Sequence, residues 1–380
     1  MVTNTTNRNR QPKGTSKGGQ FTPETHTETP NDLDTTSSDT TPPSIVERYD
    51  NGNPKRKKWR NKNGKLHRDD GPARIIYFEN GTIEEESWYK NGLSHRTDGP
   101  ALIRYRTDGT IRTESWYKNG QQHRTGGPAR IHYDKNGDIE YEEWYKDGAV
   151  HRTGGPAYIS YNPDRTIESE GWCQDGKIHR DNAPANITYN EDGTIEEEQW
   201  WLDGHLHRDN GPARIVCDSD GAIMSESWYK DGQQHRTDGP ATIRYRTDGT
   251  IRTEYWYKNG QQHRTDGPAY TAYRADGTIG EESWWQNGQP HRTDGPAYVG
   301  YYPDGTATVE QWRQNGKLHR DNAPANITYN EDGTIEEEQW WQNGKLHRTD
   351  GPARILYSQD GTIKREQWWQ NGERITPPAH

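Results

Sequence analysis

A repeat of 28 residues is the feature that most constrains the fold of this 380-residue chain. Trp recurs at that interval from Trp88 to Trp368, and a His-Arg pair recurs in step with it from His67 to His347. Eleven His-Arg pairs define eleven units. A fixed period of this length is typical of repeat proteins, in which each unit packs mainly against its neighbours. The sequence therefore predicts a repeat array and not two or three ordinary globular domains.

A longer period lies over the short one. Residues 103–124 match residues 243–264 except for Ser115 against Tyr255, and residues 179–201 match residues 319–341, so both offsets equal five units. We infer that a five-unit block was duplicated and then followed by one more unit. The predicted organisation is a disordered tail, a basic capping half-repeat, two blocks, a last unit and a C-terminal tail: residues 1–44, 45–66, 67–206, 207–346, 347–374 and 375–380.

Each unit contains the turn signals of β-hairpins. Asn-Gly and Asp-Gly favour two-residue turns between adjacent antiparallel strands. The segment Thr110–Lys118 lies between two such turns, and Ala129–Tyr133 alternates between apolar and polar residues, so both are predicted strands. No segment has a helical period. The predicted fold is all-β, an elongated array of about eleven β-hairpin repeats that forms a twisted antiparallel meander of 22 strands.

The composition excludes an ordinary aliphatic core. Hydrophobic residues make up 27% of the chain, yet it holds 16 Trp and 22 Tyr. Stacked aromatic rings are expected to replace that core, with a bidentate Arg–Glu pair in each unit beside the Trp stack. A polar groove for a repetitive ligand is the alternative interpretation. The predicted structural ladders comprise Trp88, Trp116, Trp144, Trp172, Trp200 and Trp228, then Glu86, Glu114 and Glu198, Arg96, Arg124 and Arg208, and His95, His123 and His207.

The histidines raise the question of a metal site. His67 and Asp70 have a spacing that allows both to bind one ion, but the Asp position becomes Gly126, Gly154 or Asn182 in other units. A turn accepts Asp, Asn or Gly, so turn chemistry is the preferred explanation and neither a metal nor a cofactor is predicted. A pH-sensing role for the histidines is the minor alternative. No catalytic motif is present, which predicts a protein that is not an enzyme.

Charge is unevenly distributed in a chain whose net charge is −10. Residues 45–66 carry eight basic and two acidic residues. This basic patch is either a contact for nucleic acid, anionic lipid or an acidic partner, or an edge strand charged against aggregation, and the second explanation is preferred. Its residues are Lys55, Arg56, Lys57, Lys58 and Arg60. The acidic remainder argues against nucleic acid.

The sequence contains no long apolar run and no recognisable signal peptide. Membrane contact is therefore expected at most through the basic patch, and a cytoplasmic location is predicted. Cys173 and Cys217 occupy different places in the repeat and are expected to be unpaired, which suits a reducing compartment.

The segments Trp-x-x-Asn-Gly-Lys-Leu-His and Tyr-x-x-Asp-Gly-Thr resemble MORN-type repeats. The resemblance is closer to the variants with His-Arg-x-Asp-Gly-Pro-Ala units in bacterial, phage and giant-virus proteins, and it covers residues 49–374. It implies an elongated antiparallel sheet that acts as a scaffold and contacts protein or lipid. The unit length and the Glu before Trp depart from ordinary MORN repeats.

Three functions are compatible with this sequence. The first is a non-enzymatic scaffold or protein-interaction module that presents an extended β surface to an unidentified protein partner. The second is a neutralising binder of the immunity or antitoxin type, whose acidic body covers a basic toxin surface. The third is a carbohydrate or cell-surface binder whose aromatic ladders stack on sugars.

Overall fold

The computed structural model describes residues 42–376, and within that range the protein is all-β without a helix. Twenty-four strands form one sheet. Each strand except the first and the last pairs antiparallel with the sheet strand before it and the one after it. The predicted antiparallel meander of hairpins is thus confirmed. The predicted disorder falls almost entirely on residues 1–41, which lie outside the described residues, as do residues 377–380 of the C-terminal tail.

Twelve hairpins build the sheet, and each has a four-residue strand followed by a five-residue strand. The four-residue strands are Ile45–Arg48, Arg74–Tyr77, Leu102–Tyr105, Arg130–Tyr133, Tyr158–Tyr161, Asn186–Tyr189, Arg214–Cys217, Thr242–Tyr245, Tyr270–Tyr273, Tyr298–Tyr301, Asn326–Tyr329 and Arg354–Tyr357. The five-residue strands are Pro54–Lys58, Ile83–Ser87, Ile111–Ser115, Ile139–Glu143, Ile167–Gly171, Ile195–Gln199, Ile223–Ser227, Ile251–Tyr255, Ile279–Ser283, Ala307–Gln311, Ile335–Gln339 and Ile363–Gln367.

Eleven short hairpins alternate with the long ones, each made of two-residue strands around an Asn-Gly or Asp-Gly turn. Their strands are Tyr89–Lys90 with Leu93–Ser94, Tyr117–Lys118 with Gln121–Gln122, Tyr145–Lys146 with Ala149–Val150, Cys173–Gln174 with Lys177–Ile178, Trp201–Leu202 with His205–Leu206, Tyr229–Lys230 with Gln233–Gln234, Tyr257–Lys258 with Gln261–Gln262, Trp285–Gln286 with Gln289–Pro290, Arg313–Gln314 with Lys317–Leu318, Trp341–Gln342 with Lys345–Leu346 and Trp369–Gln370 with Glu373–Arg374.

The predicted strand Thr110–Lys118 is divided in the structure, because Trp116 separates Ile111–Ser115 from Tyr117–Lys118. The N–H of Trp116 donates to the carbonyl of Ala129 at 2.8 Å, while its own carbonyl accepts from the N–H of His123 at 3.1 Å. The chain therefore leaves the sheet at each Trp. Each unit has four strands and not two, and the sheet has 24 strands and not 22 because residues 45–58 add a twelfth hairpin.

The two kinds of turn differ in backbone conformation. In the short hairpin, Asn119 and Gly120 both have positive φ, at 51° and 87°, as the tight turn between paired strands requires. In the long hairpin, only Gly109 has positive φ, and the Asp108 carboxylate accepts from the N–H and the hydroxyl of Thr110 at 2.9 and 2.7 Å. The pairing register shifts between Arg104 and Tyr105, just before the turn, and this β-bulge accommodates the longer turn.

The core is a thin line of small residues. The Ala that precedes each four-residue strand after the first is buried, with an exposed fraction of 0 or 1% from Ala73 to Ala353. The next inward residue is usually Ile, as at Ile131 and Ile215, which are 7% and 4% exposed. No aliphatic layer lies beyond these residues in the described part of the chain, so the aromatic side chains supply the remaining packing. Cys173 and Cys217 are not joined in a disulfide.

Candidate binding surface

One face of the sheet carries the same Trp–Arg contact in every unit, and we call it the repeat face. The Arg of each His-Arg pair lies over the ring of the Trp eight residues before it, or nine for Arg68. The guanidinium carbon is 3.6–4.3 Å from the ring centroid in eleven cases from Arg68 to Arg348. The same guanidinium donates to the carbonyl of the following Pro, as from Arg124 to Pro128 at 3.1 Å. These contacts combine cation–π attraction with a charge-assisted hydrogen bond.

The loop after each His-Arg pair is shaped by this stack. A Cβ at Gly99 would lie 2.9 Å from the guanidinium carbon of Arg96, so the close approach requires a small residue. Where the preceding residue is Asp98, its carboxylate accepts from Arg96 Nε at 3.0 Å. Where that residue is Gly126 or Asn182, it adopts positive φ instead, at 83° and 57°. The variation at this position thus has a turn-based explanation.

A second contact of the repeat face joins neighbouring hairpins. The hydroxyl of the Tyr that ends a four-residue strand donates to the Glu of the preceding five-residue strand, as from Tyr105 to Glu86 and from Tyr133 to Glu114, both at 2.7 Å. The same bond recurs at 2.7–3.1 Å for Tyr161, Tyr189, Tyr245, Tyr273, Tyr301, Tyr329 and Tyr357.

The Tyr–Glu bonds are accompanied by shifts in the pKa values of their side chains. Burial, together with the adjacent carboxylate, raises the pKa of Tyr273, Tyr301 and Tyr357 to about 12. Burial also raises the pKa of Glu142, although the hydrogen bond from Tyr161 opposes the shift. The Tyr–Glu bonds therefore stabilise the pairing of neighbouring hairpins while the Tyr hydroxyl is protonated.

The predicted bidentate Arg–Glu pair is not the arrangement found in these nine units. Glu114 accepts from Tyr133, whereas Arg124 stacks on Trp116 and donates to a carbonyl. Arg124 still lies close enough to Glu114 for the carboxylate to oppose the lowering of its pKa by burial. The Tyr hydroxyl occupies the hydrogen-bonding position because it projects from the adjacent strand of the sheet, whereas Arg arrives from a loop.

The histidines connect each unit to the next. Nδ1 of His95 accepts from the backbone N–H of Asn119 at 3.1 Å, and the same bond to the residue 24 positions later occurs from His67 to His347. Each His thereby holds the turn of the following short hairpin. Among residues 42–376, no group of His, Cys, Asp and Glu side chains is arranged to hold a metal ion.

Shallow clefts repeat between successive His-Arg loops. One of 510 Å³ is lined by residues that include Arg124, Trp144 and Arg152, and one of 350 Å³ two units later is lined by their counterparts, among them Arg180 and Arg208. The cations of these clefts are already engaged with Trp rings and carbonyls. The clefts are thus spaces between units of the array.

The residues of the predicted basic patch are divided between two faces. Arg56 and Lys58 both approach Glu47, at 3.4 and 3.3 Å, while Lys57 lies over the ring of Tyr77. The strand that carries them, Pro54–Lys58, is not an edge strand, because it pairs with Ile45–Arg48 on one side and Arg74–Tyr77 on the other. The preferred edge-strand interpretation is therefore wrong, since the sequence before Lys55 supplies a further strand.

The opposite face of the sheet differs from unit to unit, and we call it the variable face. It presents the first and third residues of each four-residue strand, the third and fifth of each five-residue strand, and the residue after Trp. The first of these positions is Arg in Arg74, Leu in Leu102, Tyr in Tyr158, Asn in Asn186 and Thr in Thr242. The repeat face, in contrast, has Glu and Trp in all eleven units.

The variable side chains form local clusters. Glu85 accepts from Ser87 at 2.7 Å and from Arg104 at 3.1 Å, and it also pairs with Arg74. Burial raises the pKa of Glu85, but these hydrogen bonds outweigh burial and hold the pKa below its ordinary value. Two units later, Glu143 accepts from Arg130 at 3.0 Å. The clusters differ between most places in the array, although that of Glu197 and Arg214 recurs 140 residues later as Glu337 and Arg354.

An aromatic cluster occupies the variable face of the second block. The ring of Tyr255 lies 4.9 Å from that of Tyr270 and 6.4 Å from that of Tyr257. Tyr270 and Tyr298 both donate to Glu281, at 2.6 and 2.8 Å. The Tyr side chains of this cluster are half-buried, as is Trp285 nearby on the same face.

Sequence reasoning missed the variable face, although a signal was present. The one difference between residues 103–124 and 243–264 is Ser115 against Tyr255, and that difference falls on the variable face and helps to build the aromatic cluster. The positions that do not repeat are the ones that distinguish one unit from another.

No protein-family model and no curated protein matches this chain. Solved structures with some similarity include the Tc holotoxin pore of Photorhabdus luminescens, an alternansucrase in complex with isomaltononaose, and choline binding protein F of Streptococcus pneumoniae. Their sequence identities are 12, 13 and 12%, and their TM-scores are 0.16, 0.17 and 0.15. The matches cover 79, 73 and 86% of this chain and 18, 17 and 100% of those chains. Values this low carry no inference.

Proposed function

We propose that this chain is a non-enzymatic interaction scaffold whose variable face binds a protein partner. The observation that carries the proposal is the concentration of unit-to-unit differences on one face. The contacts that join every pair of neighbouring units call for the same residue in each unit, whereas recognition of a partner calls for different side chains at different places. The resemblance to MORN-type repeats supports the same function. A neutralising binder is a special case, distinguished by a partner that is a toxin.

A pull-down from host lysate followed by binding measurements with the purified partner tests this proposal. An exchange variant replaces five variable-face residues by the residues 140 positions earlier, which the chain already accommodates. It carries Tyr255→Ser, Tyr270→Arg, Glu281→Tyr, Ser283→Glu and Trp285→Tyr. We expect the intact chain to bind its partner in a fixed stoichiometry and the exchange variant to lose most of that affinity, because aromatic anchors carry much of an interface's binding energy.

A matched control changes the turn of the same hairpin by the same kind of exchange. It carries Arg274→Asp, Ala275→Lys, Asp276→Asn and Thr278→Asp, each the residue found 140 positions earlier. This turn-exchange control is expected to bind as the intact chain does. Equal binding by the intact chain, the exchange variant and the control would contradict the variable-face proposal.

A carbohydrate is the second candidate ligand, and the aromatic cluster around Tyr255 is the observation that favours it. Half-buried aromatic rings at a surface can stack on sugar rings, and Glu281 lies beside them. The Trp ladder itself is covered by Arg side chains and is not the stacking surface. Calorimetric titration with soluble glucan and chitin oligosaccharides tests this candidate. Binding that disappears in the exchange variant would favour it over a protein partner.

A further inference from the structure

We propose that the two edges of the sheet pair head to tail with a second copy of this chain, so that copies join into a longer ribbon. Within residues 42–376, Ile45–Arg48 and Ile363–Gln367 each have one neighbouring strand, whereas every other strand of the sheet has two. An edge strand offers backbone N–H and C=O groups to another chain. The inference goes beyond the proposed function because it concerns the two edges of the sheet and not recognition of a partner by the variable face.

The junctions inside the array show how such edges meet. Each five-residue strand pairs with the next four-residue strand in one register, which sets Glu85 opposite Arg104 and Glu86 opposite Ile103. The same register occurs at all eleven junctions. It is continued by the bond from the N–H of Trp88 to the carbonyl of Ala101. A junction between two copies would have this geometry available without any change of conformation.

In that register the edge residues are complementary. The last strand of one copy would place Arg365 opposite Glu47 of the next copy and Glu366 opposite Val46. Arg48 would take the position from which Tyr reaches Glu inside the array, so Glu366 would face a cation there. Inside the array, the equivalent positions hold Glu85 and Arg104, which form an ion pair at 3.1 Å. At a junction between two copies the charges would be reversed, with Arg365 in the place of Glu85 and Glu47 in the place of Arg104.

The backbone around the first strand also has the form of an internal junction. Ser44 stands where Ala stands in the other units, and its N–H donates to the carbonyl of Lys58 at 2.8 Å, as the N–H of Ala129 does to Glu143. The carbonyl of Ser44 is thus placed to accept from the N–H of Trp368 in a second copy. Val46 is 42% exposed, whereas its interior counterparts Ile131 and Ile215 are 7% and 4% exposed, so pairing would cover Val46.

Charged residues at an edge ordinarily prevent pairing. Whether two edges can pair therefore depends on whether the facing charges are alike or opposite. Two identical edges would set Arg365 near Arg365, whereas the head-to-tail register sets Arg365 against Glu47. The contact therefore joins different edges, and a heterologous contact of this kind extends and does not close into a two-fold dimer. The ribbon is expected to lengthen as the protein concentration rises.

Sedimentation velocity of the full chain over a range of concentrations at low salt tests this proposal. We expect the sedimentation coefficient to rise with concentration past the value for a dimer. Arg365→Glu is expected to weaken association by about tenfold, and Glu47→Arg in the same chain is expected to restore it. Arg112→Glu is the matched control, since it makes the same charge change on an exposed position of an interior five-residue strand and is expected to associate normally.

Three results would overturn the proposal: a monomer at every concentration, association that stops at a dimer, or equal weakening by Arg365→Glu and Arg112→Glu. Arg365 is exposed, so its substitution is expected to leave the fold intact, and circular dichroism checks this. The comparison of Arg365→Glu with Arg112→Glu decides the question even if Glu47→Arg disturbs the pairs with Arg56 and Lys58. The exchange variant should still self-associate, which separates this test from that of the variable face.

Discussion

At the residue scale, the fold depends on two contacts that recur in nearly every unit. The first is Arg over Trp, which places a guanidinium 3.8 Å from the ring centroid in the pair of Arg124 and Trp116. The second is Tyr to Glu between neighbouring hairpins, as from Tyr245 to Glu226 at 2.8 Å. Both use large polar side chains where an ordinary protein uses aliphatic ones. The low hydrophobic content and the high aromatic content of the chain have this common cause.

Arg124→Met tests the first contact. The substitution keeps an extended apolar side chain but removes the cation over Trp116 and the hydrogen bond to the Pro128 carbonyl. We expect a loss of about 1–2 kcal/mol in the free energy of unfolding, measured by chemical denaturation. Arg112→Met, on an exposed strand position, is the control and is expected to be close to neutral. Equal effects of the two substitutions would show that the stack contributes little.

Tyr245→Phe tests the second contact. Loss of the hydroxyl leaves the Glu226 carboxylate without its donor on a half-buried face, so we expect a cost of about 1–3 kcal/mol. The hydroxyl of Tyr257 on the variable face makes no hydrogen bond among residues 42–376, and Tyr257→Phe is therefore expected to be nearly neutral. Denaturation midpoints of the two variants compare the effects directly, and a neutral Tyr245→Phe would contradict the role assigned to the bond.

At the element scale, each unit consists of a long hairpin in the sheet and a short hairpin beside it. The His of one unit holds the turn of the next short hairpin, as His235 Nδ1 accepts from the N–H of Asn259 at 3.2 Å. Each strand of a short hairpin has only two residues, and so small a hairpin is not stable alone. The His ladder thus links successive units, and this role explains why the His residues follow the same period as Trp.

His235→Asn and His235→Leu distinguish this role from simple packing. The side-chain oxygen of Asn lies near the place of Nδ1 and keeps an acceptor for the N–H of Asn259, whereas Leu removes it. We expect hydrogen exchange at the Asn259 amide to accelerate in His235→Leu and to change little in His235→Asn. Similar exchange rates in both variants would show that the acceptor is unimportant.

The sequence predicts the elements well where turns define them and poorly where a side chain interrupts a strand. Asn-Gly or Asp-Gly marks every hairpin except that of Tyr158–Tyr161 and Ile167–Gly171, where Arg165 takes the place of Gly at a φ of 70°. These turns predict the meander. The break at Trp116 was not predictable, because it depends on a bond from Trp116 to Ala129 in the next unit. The partner of Glu114 was misassigned for a similar reason, since Arg124 and Tyr133 are both nearby and only the register of the sheet selects Tyr133.

At the scale of the whole molecule, the described array is one continuous sheet with a constant face and a changing face. Units contact mainly their sequence neighbours, so stability accumulates along the array. Duplication of a five-unit block extends the repeat face without altering it. The same duplication supplies a second set of variable positions, which substitutions such as Ser115 against Tyr255 have since diversified.

The raised tyrosine pKa values predict an alkaline loss of stability across the array. The ordinary pKa is 10.0, whereas Tyr273, Tyr301 and Tyr357 reach about 12 when folded. Their contribution is fully present below pH 10 and is lost as the pH rises towards 12, because only the unfolded chain ionises in that interval. Unfolding followed by circular dichroism should coincide with the appearance of tyrosinate absorbance. Ionisation of Tyr273, Tyr301 and Tyr357 near pH 10 with the sheet intact would contradict this account.

The central claim is that the repeat face stabilises the fold and the variable face contributes little to stability. Chemical denaturation of two variants tests this claim most directly. The exchange variant alters five variable-face residues, whereas Trp256→Ala alters one residue of the repeat face. We predict a loss below about 1 kcal/mol for the five changes together and about 3 kcal/mol for the single one. An exchange variant that is destabilised as much as Trp256→Ala would contradict the claim, because the variable face would then also hold the fold together.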